Sequence, residues 1–220
     1  MASYTVTGKN GTKEVPFEYL SELTDELDKL HTSKKELSET DIYKITLWKI
    51  NRYPKIRNTT ILKDLNSLRK LNRFEEEATK SILSAMLPQN GIGLAMASTY
   101  LRFSNPKIYP IIDTRALRAA FDYEDVNVYE NILSTHCGGN KLYEKQIDLY
   151  IDYVNKLIEI SKTDYHGLKI DFENLDRFLY DIDEGSGFLL SDKEPFDKEK
   201  LAKWEKIIMD YGGKIEKKNV

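Results

Sequence analysis

Apolar residues recur at helical spacing along most of this chain, and the pattern breaks only near its start. After Pro16, the residues Phe17, Leu20, Leu23, Leu27 and Leu30 lie three or four positions apart, the spacing that gathers side chains on one helix face. Ile42, Ile45, Trp48 and Arg52 continue a second stripe, which Pro54 ends because proline lacks the amide donor a helix interior needs. Further helices are predicted at 60–71, 74–86, 94–104, 114–122, 142–161, 172–181 and 198–211, the last stopped by Gly212-Gly213. Before Pro16 the chain alternates instead. Tyr4-Thr5-Val6-Thr7 and Glu14-Val15-Pro16-Phe17 flank Lys9-Asn10-Gly11, which predicts a small β-hairpin on an Asn-Gly turn. The expected fold is all-α with a minor N-terminal β-hairpin.

No repeat, low-complexity tract or long linker divides the chain, so lobes are expected rather than independent beads. The division predicted is a helical core lobe at 58–135, with the N-terminal helices of 1–57 packing together with 136–220 as the second. A composition of 40% hydrophobic and 31% charged residues is that of a soluble globular protein. A single cysteine, Cys137, excludes an internal disulfide, and no apolar run reaches the length of a membrane span or a signal-peptide core. These features predict a cytoplasmic, monomeric protein.

Charge changes the picture. The formal net charge is −3, which argues against a nucleic-acid partner, but its distribution argues the other way. Between residues 44 and 73 nine basic residues, among them Lys49 and Arg52, stand against one acid, Asp64, while residues 14–41 and 164–200 are strongly acidic. Such segregation can present a positive face to phosphate; equally, it can be an ordinary solvated surface.

The most informative stretch runs from Leu87 to Ala120. Gly91-Ile92-Gly93 follows one predicted helix and opens another, and a Gly-x-Gly turn there exposes backbone N–H groups at the positive end of a helix dipole. That arrangement grips a phosphate backbone without reading sequence. Twenty residues beyond Gly93 stands Asp113, where the apolar run Ile111-Ile112 turns into an amphipathic segment bearing Leu117 and Phe121. An aspartate at a helix start is commonly an N-cap, and the same carboxylate can also do chemistry.

Leu87-Pro88, the glycine turn, Ala97, Pro106, Pro110 and the run Ile112-Asp113-Thr114-Arg115 together resemble the helix-hairpin-helix GPD superfamily of DNA glycosylases, which includes endonuclease III and adenine glycosylase. The resemblance implies two helical lobes around a DNA-binding cleft, a flipped base in that cleft, and Asp113 as the catalytic carboxylate. It also implies DNA contact by the hairpin residues Asn90, Gly91, Ile92, Gly93 and Ala95, with a monovalent cation on the hairpin carbonyls as an option and no other cofactor. Two departures stand out. Gln89 and Asn90 make the hairpin about two residues longer than the family form, and Ala95 occupies the place of the Schiff-base lysine of bifunctional members. The implied activity is therefore monofunctional hydrolysis of the N-glycosidic bond of a damaged or modified base in double-stranded DNA, leaving an abasic site. One cysteine cannot hold the iron–sulfur cluster of many relatives.

Other residues carry less. Lys49, Arg52 and Arg115 are expected to contact DNA, and Trp48, Asn51 and Tyr53 to line a base pocket, although Trp48 also suits a core and Arg115 and Arg118 a structural role. His31, His136 and His166 are too scattered for a metal site, and Asp181, Asp183 and Glu184 lack calcium-loop spacing and predict a solvated acidic turn. The alternatives are a helix-hairpin-helix protein that binds DNA without chemistry and, for the substrate, a modified pyrimidine in phage DNA.

Overall fold

The computed structural model describes residues 3–16, 20–33, 36–49, 56, 58–123, 126–135, 139–187 and 198–215. Strands β1 (Ser3–Gly8) and β2 (Gly11–Pro16) form the antiparallel hairpin, with Ser3 opposite Pro16 and Gly8 opposite Gly11. The two-residue loop is therefore Lys9-Asn10, one position earlier than the predicted Asn-Gly turn, and Gly11 closes it with φ 103°. Glycine is needed at position 8 for a different reason, since a Cβ there would run into the Tyr211 carbonyl. A third strand, β3 (Lys169–Ile170), pairs with the other edge of β1 and sets Val6 beside Ile170. Two residues are too few to show alternation, which is why the chain pattern gave only a hairpin.

The rest is mostly helical: α1 (Ser21–Asp28), α2 (Glu39–Lys49), α3 (Thr60–Leu68), α4 (Glu76–Met86), α5 (Leu94–Ser104), α6 (Thr114–Ala120), α7 (Val126–Ser134), α8 (Gly139–Thr163), α9 (Phe172–Gly185) and α10 (Lys198–Asp210). Helix α1 is shorter than its apolar stripe. Leu20, with φ 41°, is half exposed just before the helix and does not join the buried face, while Leu27 is fully buried. Helix α7 was not foreseen; Val126 and Val128 in its first turn weaken the helical signal. Among the described residues no helix is long and apolar enough to cross a membrane.

Buried apolar residues from α1 to α10 form one continuous cluster. Large tyrosines fill its centre, and their hydroxyls are satisfied where they are buried. Tyr100 pairs with Thr46 at 3.0 Å and Tyr109 accepts from Thr79 at 3.3 Å. Tyr165 donates to the Ala119 carbonyl at 2.9 Å, tying the C-terminal end of α6 to the start of β3's loop. A buried hydroxyl costs little only when it is bonded in this way.

Charged groups are also drawn inside. The Asp183 carboxylate is fully buried and accepts from Arg118 (3.0 and 2.7 Å) and from the Tyr123 hydroxyl (3.1 Å). The predicted solvated acidic turn is therefore corrected: Asp181 and Asp183 lie within α9, on its packed side, and only Glu184 is exposed. The amphipathic period of α9 carries Asp183 inward to meet Arg118 of α6, which takes its structural role, and turns Asp181 to Tyr4 of β1.

Candidate functional site

Asp113 sits at the end of an extended segment whose backbone is held by buried side chains. Tyr150 donates to the Pro110 carbonyl (2.9 Å), Tyr153 to the Ile111 carbonyl (3.1 Å), Asp176 accepts the Ile111 N–H (2.7 Å) and Ser98 the Ile112 N–H (3.1 Å). Every one of these partners comes from α5, α8 or α9, so three helices fix the segment that delivers the carboxylate. Asp113 itself is extended (φ −135°, ψ 154°) and caps α6, its Oδ1 accepting the Arg115 N–H at 3.0 Å. Its Oδ2 faces Lys49 Nζ at 3.5 Å, and the two side chains are 24% and 17% exposed. The carboxylate is thus half-sheltered, with one oxygen on the backbone and the other toward an ammonium.

A cavity of about 200 Å³ opens beside it. Trp48, Ile111 and Ala116 supply apolar wall, and Lys49, Asp176, Arg177 and Tyr180 supply polar groups. Trp48 is anchored by its Nε1–H, which donates to Thr24 at 2.6 Å, and by an edge contact with Phe103. Behind the cavity Arg177 donates to Asp28 at 2.7 Å, and Asp176 stands 3.7 Å from the buried Arg102 guanidinium. Burial holds the Arg102 guanidinium below its ordinary pKa, with Arg177 adding to that and Asp176 opposing it.

The glycine turn forms a second concavity, about 740 Å³, between α4 and α5. Gly91 adopts φ 86°, a left-handed conformation that glycine reaches without strain. Gly93 caps α5, and the first N–H to close back in that helix is that of Ala97, on the Gly93 carbonyl at 2.9 Å. The N–H groups of the first turn before Ala97 are the unpaired donors any helix start leaves, and Leu94, Ala95 and Met96 line the groove. Gln89, one of the two extra residues of the turn, has a local use: its N–H donates to the Met86 carbonyl (2.9 Å) and its side chain to the Ala85 carbonyl (3.1 Å), closing the end of α4. Leu133 and Tyr143 form the opposite wall, and Lys49 borders this groove as well as the Asp113 cavity.

The structure thus brings together Asp113, Lys49 and Trp48 in one cavity, and Asn90, Gly91, Ile92, Gly93, Ala95 and Lys49 in the adjoining groove. Asn51, Arg52 and Tyr53 lie outside the described residues. Arg115 does not face outward as a DNA contact would. It turns inward, 3.6 Å from Asp183 and 3.9 Å from Glu184, with its guanidinium over the Tyr180 ring at 5.4 Å. A cation finding two carboxylates and an aromatic face within the fold is drawn there rather than to solvent. The cavity residues that the chain pattern missed, Asp176, Arg177 and Tyr180, all come from α9, and the only signal they gave was their place in an amphipathic helix. Among the described residues no cluster of three metal-ligating side chains occurs.

Comparison of the chain with protein-family models, with curated proteins and with solved structures finds no match.

Proposed function

We propose that the protein is a monofunctional DNA glycosylase of the helix-hairpin-helix kind, which extrudes a damaged or modified base from duplex DNA and hydrolyses its N-glycosidic bond. The observation that carries this reading is the sharing of Lys49 between two concavities, one built on the glycine turn and the other holding Asp113. A DNA backbone seated on the hairpin would bring a flipped nucleotide to the carboxylate beside it. In this reading α4, the turn and α5 are the helix-hairpin-helix unit, the cleft lies between a core lobe of 58–135 and a lobe of the N- and C-terminal helices, and a monovalent cation on the Asn90–Gly93 carbonyls is compatible with it.

Chemistry follows from the carboxylate. As the C1′–N bond breaks, the base leaves with the bonding electrons and positive charge develops on the sugar. Asp113, fixed by its capping bond, stabilises that charge and orients a water whose hydroxide ends on C1′ and whose proton ends on the base. Trp48 offers an aromatic wall to the extruded base. The test is a panel of duplexes each carrying one modified base, oxidised, alkylated or a phage-type pyrimidine, treated with alkali after incubation. Strand breaks with any one of them support the reading, and none across the panel would overturn it.

The second reading is a DNA-binding protein without chemistry, favoured by the fact that Asp113 is a working helix cap. It requires the same groove and makes no use of the cavity.

A further inference from the structure

Lys49 stands where the two concavities meet, and among the described residues it is the one cation that borders both. The cavity has a second cation, Arg177, but its guanidinium donates to Asp28 at 2.7 Å and does not border the groove. Lys49 is held less firmly. Its ammonium meets Asp113 Oδ2 at a loose 3.5 Å, and the two side chains are 17% and 24% exposed. A pair at that distance with both partners partly hydrated contributes little, so a long, flexible side chain can leave it at little cost.

On the groove side, the first turn of α5 offers backbone N–H groups that have no helical partner, and Gly93 carries no side chain to keep an anion away. A phosphate seated there lies beside the same ammonium that faces Asp113. The chemistry decides which of the two anions has it during the reaction. Asp113 acts in the proposed hydrolysis by facing positive charge that develops on the sugar. An ammonium at Oδ2 opposes that charge and covers the oxygen that would meet the water. Oδ1 cannot take over, because it accepts the Arg115 N–H at 3.0 Å.

Resting on the base-excision reading above, we propose that Lys49 is a positioning residue that changes partner: without DNA it faces Asp113, and a DNA phosphate in the groove draws it away and opens Oδ2 to the sugar and its water. The carboxylate is thereby made ready only when a DNA backbone is seated. Until then its charge stays paired.

The change of partner is read by NMR on protein carrying carbon-13-labelled lysine, the Lys49 side-chain signal being the one lost in Lys49→Met. The probe is an unmodified duplex. Without DNA, Asp113→Asn should move the Lys49 signal; with the duplex bound, the parent and Asp113→Asn should give the same signal. A signal that still separates the two proteins with duplex bound, or that never separates them, overturns the inference. The second measurement follows excision at saturating protein from duplexes in which one linkage flanking the released base is a neutral methylphosphonate. At the linkage that fills the groove the parent should slow by at least about tenfold, and Lys49→Met far less, since it has no ammonium to withdraw. Equal slowing of both proteins, or no slowing of the parent at any linkage, overturns the inference. A change of partner in the NMR experiment without release of any modified base leaves the inference standing and overturns excision. Release of a base while the Lys49 signal in the complex still depends on Asp113 overturns the inference and leaves excision standing. Failure to bind the duplex at all overturns both.

Discussion

At the scale of single residues, Asp113 caps α6 and in the proposed reading also supports the chemistry, and one substitution separates the two. Asparagine keeps the carbonyl oxygen that caps α6 but not the charge, so Asp113→Asn should fold and bind DNA as the parent does while excision falls by about a hundredfold or more. Excision near the parent rate would leave Asp113 as a cap only. In the proposed glycosylase reading Ala95 takes the place of the lysine nucleophile of bifunctional enzymes, so base release should proceed without strand cleavage, with borohydride trapping no adduct. A trapped adduct would overturn the monofunctional reading and would point to Lys49, whose amine stands 3.5 Å from Asp113. Asp113 was legible in the chain because it stands at a fixed step from a glycine turn, and Trp48 because it closes an apolar stripe. Tyr180 was not legible. It reaches the cavity from a helix that lies 67 residues downstream of Asp113 in sequence, and no local spacing encodes that approach. For Arg115 the sequence left DNA contact and a structural role both open, and the inward turn became visible only with the acids of α9 beside it.

At the scale of elements, the two glycines of the turn have different tasks, and substitution should tell them apart. Gly91 lies in the left-handed region, so Gly91→Ala should lower stability by about 1–2 kcal/mol, read from denaturant unfolding, because a Cβ is strained there. Gly93 has φ −91°, a conformation open to any residue, and Gly93→Val should cost only the loss of a good N-cap residue, about 0.5–1 kcal/mol. If the turn grips phosphate, that valine instead obstructs the backbone's approach and DNA affinity falls. Lys49→Gln should lower affinity too and flatten its salt dependence by roughly 0.9 in log–log slope, the share of one phosphate contact. Affinity unmoved by both changes would remove the proposed DNA face. Helix α5 was located to the residue, since Gly93 marks its start and every residue of it except Ala95 is buried. It placed α1 too early, because an apolar residue at the right step, Leu20, sits in a left-handed turn instead.

At the scale of the whole molecule, the N-terminal sheet is fastened to the helix that carries Tyr180 by a polar contact with a pH dependence of its own. The Tyr4 hydroxyl donates to Asp181 of α9, and burial pushes the Asp181 carboxyl up to about 6, the Tyr4 bond opposing that rise and Glu184 adding to it. A carboxyl whose pKa is raised on folding binds its proton more tightly in the native state. Its favourable contribution is fully present below the unfolded value near 3.8 and is lost as pH rises through about 6. At neutral pH the protein therefore holds a carboxylate that the fold would rather keep neutral. Asp181→Asn retains an oxygen to accept from Tyr4 and removes the titration, so the variant should gain on the parent as pH rises. The expected difference in unfolding free energy is small below pH 4 and reaches on the order of 1–3 kcal/mol in favour of the variant by pH 8, at about 1.4 kcal/mol for each pKa unit. Urea unfolding of both proteins at a series of pH values measures it directly. A difference independent of pH would show that Asp181 titrates alike in both states and that the sheet is held to α9 by its apolar contacts, Tyr4 against Phe178 first among them.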